Sequence, residues 1–185
     1  MAKADHRGDS RCGGAALIAG SANIAFRAQL VVPEQRQLYD YWLERASGRP
    51  MPERRDISPA HIPRLLPFVS LIEVGRDDER CRIRLAGTRL RDIYDREITG
   101  LDIEDLDWGD KRDYWLTAHR RIVEERKPAQ GVVRGPRLHK EHLVQYWLKL
   151  PLGLDASGRV GMILCFDHFQ PSADSWQGAA QVIAT

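Results

Sequence analysis

Cysteine is scarce: Cys12, Cys81 and Cys165 are the only three in 185 residues. They are odd in number and far apart, with no C-x-x-C pair, which excludes a zinc ribbon and a thioredoxin-like dithiol. Such usage fits a reducing compartment, with two thiols buried in strands and one free near the start. No apolar run approaches the roughly 18 residues that span a bilayer, which excludes an integral membrane protein. Neither sign of charge dominates. Lys+Arg of 28 against Asp+Glu of 26 leaves +2, too even for an electrostatic DNA binder. No repeat of roughly 20–50 residues is visible, so solenoids and propellers fall away. G-x-S-x-G, P-loop and G-x-G-x-x-G motifs are missing, and no nucleophile has an evident base.

What is present is an ordinary globular mix, 43% hydrophobic and 29% charged, at a length that suits one domain. Residues 1–30 read as a flexible N-terminal extension. Its acids, Ser21 and Asn23 break the plan of a secretory signal, so the chain is expected in the cytoplasm.

Ordered structure is expected from Val31 to about residue 170, with 171–185 as a C-terminal tail. Pro33 suits a first helical turn. Leu38, Tyr41, Trp42 and Arg45 then recur at helical spacing, and Gly48 and Pro50 stop the helix. This narrow aromatic stripe must cover either the domain's own sheet or a second copy of the protein. Asp56-Ile57-Ser58-Pro59 starts a short helix with Ser58 as its cap. Phe68–Val74 reads as a strand covered on both faces. After a turn at 76–79, Cys81–Gly87 alternates strictly, with Cys81, Ile83 and Leu85 on one side. Short helices within Thr88–Ile98 and a longer one over Lys111–Arg126 follow, with Gly100 as a turn or cap. Gln130–Leu138 is an edge strand because of Gly135-Pro136. Leu143–Leu150 and Val160–Phe169 complete the set, joined by a turn at 155–158. The last run, nearly all apolar, suits a central position. The order predicts an α+β fold: a five-stranded antiparallel sheet with helices on one face and an N-terminal amphipathic helix.

That order, together with its short motifs, resembles a PAS domain. Trp42-Leu43, Arg49-Pro50-Met51-Pro52, Asp56-Ile57-Ser58-Pro59, Ile62-Pro63 and Leu65-Leu66-Pro67 are similar to the start of the bacterial PAS_5 subfamily. Arg82-Ile83-Arg84-Leu85-Ala86-Gly87-Thr88, Thr99-Gly100, Leu106 and Pro151-Leu152 continue the match to about Phe169. The resemblance implies a sensory or interaction module with strand order 2-1-5-4-3 and a small cavity walled by the Lys111–Arg126 helix. It also implies a homodimer through a helix outside the core, which puts Leu38, Tyr41 and Trp42 at the interface. With about 15 residues after the last strand, too few for a further domain, output is expected through a partner protein in trans.

Each candidate for chemistry has a plainer explanation. In some haem-binding PAS domains the iron ligand is a His on the long helix, where His119 lies; one His on a semi-apolar face reads better as a core-edge residue. Light-sensing relatives carry a flavin-reactive Cys between residues 88 and 106, and here there is none. His139-Lys-Glu-His142 sits between strands, where residues three apart diverge, so no metal site is expected. The acids from Asp102 to Asp113 miss the calcium-loop register and read as caps and solvated loop. Arg54-Arg55 and Arg120-Arg121 lack the aromatic interleaving of a nucleic-acid platform.

The expected pocket is lined by Ile83, Leu85, Trp115, His119, Tyr146 and Leu148, on the premise that Val144, Tyr146, Leu148 and Leu150 face inward. The opposite phase, with Gln145 and Trp147 inward, remains open, because both phases carry apolar residues. A bound ligand would be small and mostly apolar, held by polar groups such as Tyr146 and His119. A filled core is the plain alternative. No catalytic residue, metal, cofactor, nucleic acid or membrane is assigned. The rival class is a small α+β enzyme with a conical cavity, of the ketosteroid-isomerase type, in which Asp167 would line a large polar cavity.

Overall fold

The computed structural model describes residues 12–75, 80–135, 139–154 and 158–172, with side chains from residue 20 onward. The turn at 76–79, most of the turn at 155–158, Pro136, residues 1–11 and the tail from 173 lie outside the described residues.

Four helices run over Cys12–Gln29 (α1), Pro33–Ala46 (α2), Thr88–Tyr94 (α3) and Arg112–Glu125 (α4). Five strands run over Val69–Glu73 (β1), Arg82–Ala86 (β2), Ala129–Arg134 (β3), Leu143–Gly153 (β4) and Val160–Pro171 (β5). They form one antiparallel sheet ordered β2-β1-β5-β4-β3. The apolar β5 is central and β3 is an edge, as its composition predicts. A central strand has no solvent-facing ladder, so it carries few polar positions.

Three local expectations shift. Residues 12–29 form a helix where a flexible extension is expected. Its Phe26 ring packs on Tyr39 at 4.9 Å, Asn23 accepts from the Tyr39 hydroxyl, and Arg27 clamps Asp40 through two hydrogen bonds. Tertiary contact thus stabilises a Gly/Ala-rich segment that has little amphipathic signal of its own. The segment after Gly48 forms single 3-10 turns at Arg54–Asp56 and Pro59–His61 rather than a short α-helix. Ser58 makes no side-chain cap; Asp56 instead accepts from the Glu53 amide and the Arg49 guanidinium.

The third shift concerns α2. Its stripe is not free. Leu38 and Trp42 are buried, Tyr41 nearly so. The Trp42 indole donates to the Pro151 carbonyl of β4 at 2.9 Å, and its ring stacks on Tyr39. The Tyr41 hydroxyl is the acceptor for the Ser58 amide at 2.8 Å. Leu38, Tyr41 and Trp42, expected at a dimer interface, therefore cover the chain's own sheet. Of the two targets the stripe allows, the intramolecular one is realised. The outer sheet face carries Leu148, Leu150, Leu164 and Phe166, all fully buried, and that apolar area needs a cover.

Candidate functional site: a polar floor under the long helix

The opposite, inner face of the sheet looks toward α3 and α4. Register decides what it shows. Lys149 pairs with Cys165, Trp147 with Asp167 and Gln145 with Phe169, so Gln145, Trp147 and Lys149 share a face with Cys165 and Asp167. On β1 the same face carries Ser70 and Ile72, paired with Cys165 and Ile163. Glycine sets this phase at the sheet edge. Gly131 of β3 is the partner of Trp147, and a Cβ there would come within 2.6 Å of the indole. The ring lies across the bare backbone and its N–H donates to the Tyr114 hydroxyl of α4 at 3.0 Å.

Three of the six expected pocket residues leave the pocket, through two events. Tyr146 and Leu148 belong to the outer face: Leu148 is packed in the core beneath α2, and the Tyr146 hydroxyl accepts from Gln170. The phase left open in the sequence is the one opposite to that assigned. Leu85 also leaves the pocket, although it is two residues from Ile83. Leu71 pairs with Leu85, but Ile72 pairs with Ile83, so Arg84 is an extra residue in the ladder. This bulge reverses the alternation. Ile83 stays on the inner face and Leu85 turns to the outer one, 42% exposed. Trp115 and His119 sit one helical turn apart on α4 and do face the sheet together with Ile83.

The cavity between sheet and helices is small, about 30 Å³, room for about two or three waters. Its roof is apolar: Leu90, Ile98, Ile103, Leu106 and Trp108. Its floor is polar, with more polar groups than the few expected to hold a mostly apolar ligand: Ser70, Gln145, Lys149 and Asp167, each buried. Gln145 Nε2 donates to Asp167 Oδ1 at 2.7 Å. Lys149 Nζ lies 5.4 Å above the Trp115 ring and 6.0 Å from Trp147, and contacts Cys165 Sγ at 3.5 Å. Two indole faces thus stand where a carboxylate partner would stand; a cation over an aromatic face is attracted by the ring quadrupole. Among the described residues no carboxylate pairs with Lys149 within the 4.0 Å of an ion pair.

Electrostatics follow from burial. The Asp167 carboxyl is pushed above the usual range by burial, which outweighs the opposing pull of the Lys149 charge and the Gln145 amide. Burial likewise raises the Cys165 thiol. His119 is driven well below an ordinary imidazole by burial and then by the Lys149 charge. Its Nδ1 lies 2.6 Å from the Trp115 carbonyl, which can only accept, so Nδ1 carries the proton. Nε2 is then a bare acceptor. It is buried with no partner, and so is the Trp115 indole N–H. Groups of this kind demand an occupant, since an unmet buried polar atom costs about 1–3 kcal/mol.

The chain folds as the element order requires, and its sequence carries the matching signature: the PAS domain family profile, PAS_5, matches residues 30–164. The chain belongs to the PAS domain family. Among curated proteins none matches it. Solved structures similar to this PAS domain include a Rhodobacter sphaeroides LOV protein at 15% identity, covering 67% of this chain and 74% of that one with a TM-score of 0.45. A fungal LOV domain photoreceptor matches at 15% identity over 55% and 72%, TM-score 0.42. An RNA-binding light-oxygen-voltage receptor matches at 12% over 84% and 62%, TM-score 0.44.

Large cofactors do not fit this PAS core. A cavity of about 30 Å³ has no room for a haem macrocycle or a flavin ring, and His119 Nε2 is buried. Among the described residues, no group of three His, Cys, Asp or Glu side chains is arranged for a metal. His139 and His142 flank a turn at the hairpin end, with His139 at positive φ. Polar residues on the floor were invisible to the hydropathy pattern. The only trace of them is that Gln145 and Lys149 interrupt an otherwise apolar strand at a spacing of four, which puts both on one face.

Proposed function

We propose that this PAS domain is a sensory and interaction module in signal transduction, which receives a small molecule in its inner cavity and acts through protein contacts. The observation that carries this reading is the pair of buried, unpartnered groups, the Trp115 indole N–H and His119 Nε2, beside Lys149. A core that is simply filled has no reason to keep an unmet donor, an unmet acceptor and a cation around one void. Ile83, Trp115 and His119, with Lys149 and Asp167, are the ligand-facing residues. Occupancy would reposition α4, whose Trp115 and Tyr114 hold Trp147 of the sheet, and so alter the outward surface of that helix.

The homodimer in this proposal uses α1, since the aromatic stripe of α2 is spent on the sheet. Ile24 is 72% exposed, and Arg27, the helix's one charged residue, is engaged by Asp40. A cytoplasmic setting and a signalling partner in trans complete the proposal; free thiols at Cys81 and Cys165 suit the former.

The enzyme reading keeps one supporting fact: Asp167 lines the cavity with a raised carboxyl. The strand order and the volume favour the sensory reading. A conical active site must admit a substrate beside the base, and this one has space for little more than solvent. Native mass spectrometry of freshly purified protein tests the module reading directly. A dimer carrying a small-molecule adduct that Lys149→Met abolishes is expected. A bare monomer at every concentration, with no small solute shifting the melting temperature, refutes it.

A further inference from the structure

Lys149 places a cation at the floor of the inner cavity, and Trp115, whose indole N–H is a buried donor without a partner, lines the same space. Both groups seek an anion or a strong acceptor. Across from them His119 Nε2 is an unmet acceptor, because its other nitrogen is committed to the Trp115 carbonyl. An occupant that satisfies all three must offer acceptor oxygens to Lys149 and Trp115 and a proton to His119. The roof is apolar, with Leu90, Ile98, Ile103 and Trp108 above the floor, Ile72 and Ile83 extend the sheet side, and the lining holds no second cation. The occupant is therefore charged at one end only.

We propose that the cavity binds an aliphatic monocarboxylic acid no larger than acetate, in place of the roughly two or three waters it has room for, taken up as the anion together with one proton. Lys149 and the Trp115 indole hold the carboxylate, and His119 Nε2 receives the proton. This rests on the ligand-module reading above and names its ligand class. The proton balance follows from the charges that face His119. Lys149 from β4 is the charge that acts on it, and the other titratable groups lining the same cavity are Asp167 from β5 and Tyr94 from α3, with Cys165 on the same face of β5. Without ligand, burial and the Lys149 charge keep the imidazole neutral. A carboxylate beside Lys149 cancels that repulsion and supplies an acceptor for an imidazolium N–H. Asp167 stays with Gln145, whose amide occupies its Oδ1. Larger or doubly charged acids are excluded by volume and by the single lysine.

Isothermal titration of the full chain with sodium acetate, at constant chloride, tests this at about pH 6 and about pH 8. One site per chain is expected, with affinity tightening roughly tenfold for each pH unit lowered. His119→Gln retains an acceptor but cannot take the proton; it should still bind and should lose the pH dependence. Lys149→Met should weaken binding at least about tenfold. Acetamide, the neutral isostere, separates the two levels of the reading. If acetamide binds and acetate does not, the cavity remains a ligand site and the acid class is overturned. If neither binds wild-type protein, nor formate, both readings fall. Acetate binding with no pH dependence in wild type overturns the role given to His119, whatever the variants do.

Discussion

Replacing Trp42 by alanine separates a core clamp from an interface anchor. The indole is fully enclosed, stacks on Tyr39 at 6.0 Å and donates to the Pro151 carbonyl at 2.9 Å. Truncating a buried Trp costs about 3–5 kcal/mol through lost transfer energy and the cavity left behind. Loss of the donor adds to this if water cannot reach Pro151, which sits where β4 is paired with Ile163 of β5. Against a total stability of about 5–15 kcal/mol, that is a large fraction. For a domain of this size each kcal/mol moves the melting temperature about 2–4 °C, so a drop of about 6–20 °C is expected. Trp42→Phe keeps most of the volume and should lose about 1–3 kcal/mol, mainly through the orphaned carbonyl. The assay is urea unfolding followed by circular dichroism at several protein concentrations. An intramolecular clamp gives a loss that does not depend on concentration. A Trp42→Ala protein within about 1 kcal/mol of wild type, but with reduced mass in light scattering, would refute the assignment of α2 to the sheet.

Three further outcomes follow. Ile24→Glu, on the exposed side of α1, should lower the solution mass in light scattering and leave the urea midpoint within about 0.5 kcal/mol; an unchanged mass removes α1 from the interface. Gly131→Ala forces a Cβ to 2.6 Å from the Trp147 ring, so a loss of about 1–3 kcal/mol with a shifted tryptophan emission is expected; a neutral substitution would mean that the indole does not lie on the strand. The imidazole of His119 is held down in the folded state, so the unfolded chain binds the extra proton first. Stability contributed by the neutral form is present above about pH 6.5 and is lost as pH falls, by up to about 1.4 kcal/mol per pH unit. Asp167 has the opposite sign: its raised carboxyl favours the folded state at low pH and loses that advantage as pH rises above the unfolded value. Comparing urea midpoints of wild type and His119→Gln over about pH 5–7 isolates the histidine, since Asp167 is common to both. Parallel curves would show that His119 is not buried as described.

The elements themselves were legible because each depends on local periodicity and punctuation. Pro33 opens α2, Pro128 follows α4 closely, and the apolar density of Val160–Phe169 identifies the central strand. Topology then followed from the element order and the motif string. Strand starts held to within a residue or so, while β4 and β5 run on past their expected ends to Gly153 and Pro171, β3 stops at Arg134, short of the expected Leu138, and the helix at Cys12–Gln29 had no local signal. Ladder pairing continues there irrespective of composition, carrying even Pro151 opposite Ile163.

Sequence by itself determined which residues share a face in β4 and β5, because an unbulged strand's alternation is set by its own backbone geometry. It could not determine which face turns inward. In β4 both faces are apolar enough to be buried, and the choice rests on Gly131, a residue of another strand, making a shelf for Trp147. In β2 the single extra residue at Arg84 reverses the alternation, and its presence is defined only by pairing with β1. The same limit applies to Lys149. Chain-local reasoning treats a lysine as solvent-facing, whereas two indoles and a neighbouring strand enclose it. Pair energies across a sheet and between layers depend on residues far apart in the chain, so the site's chemistry exists only once those residues meet.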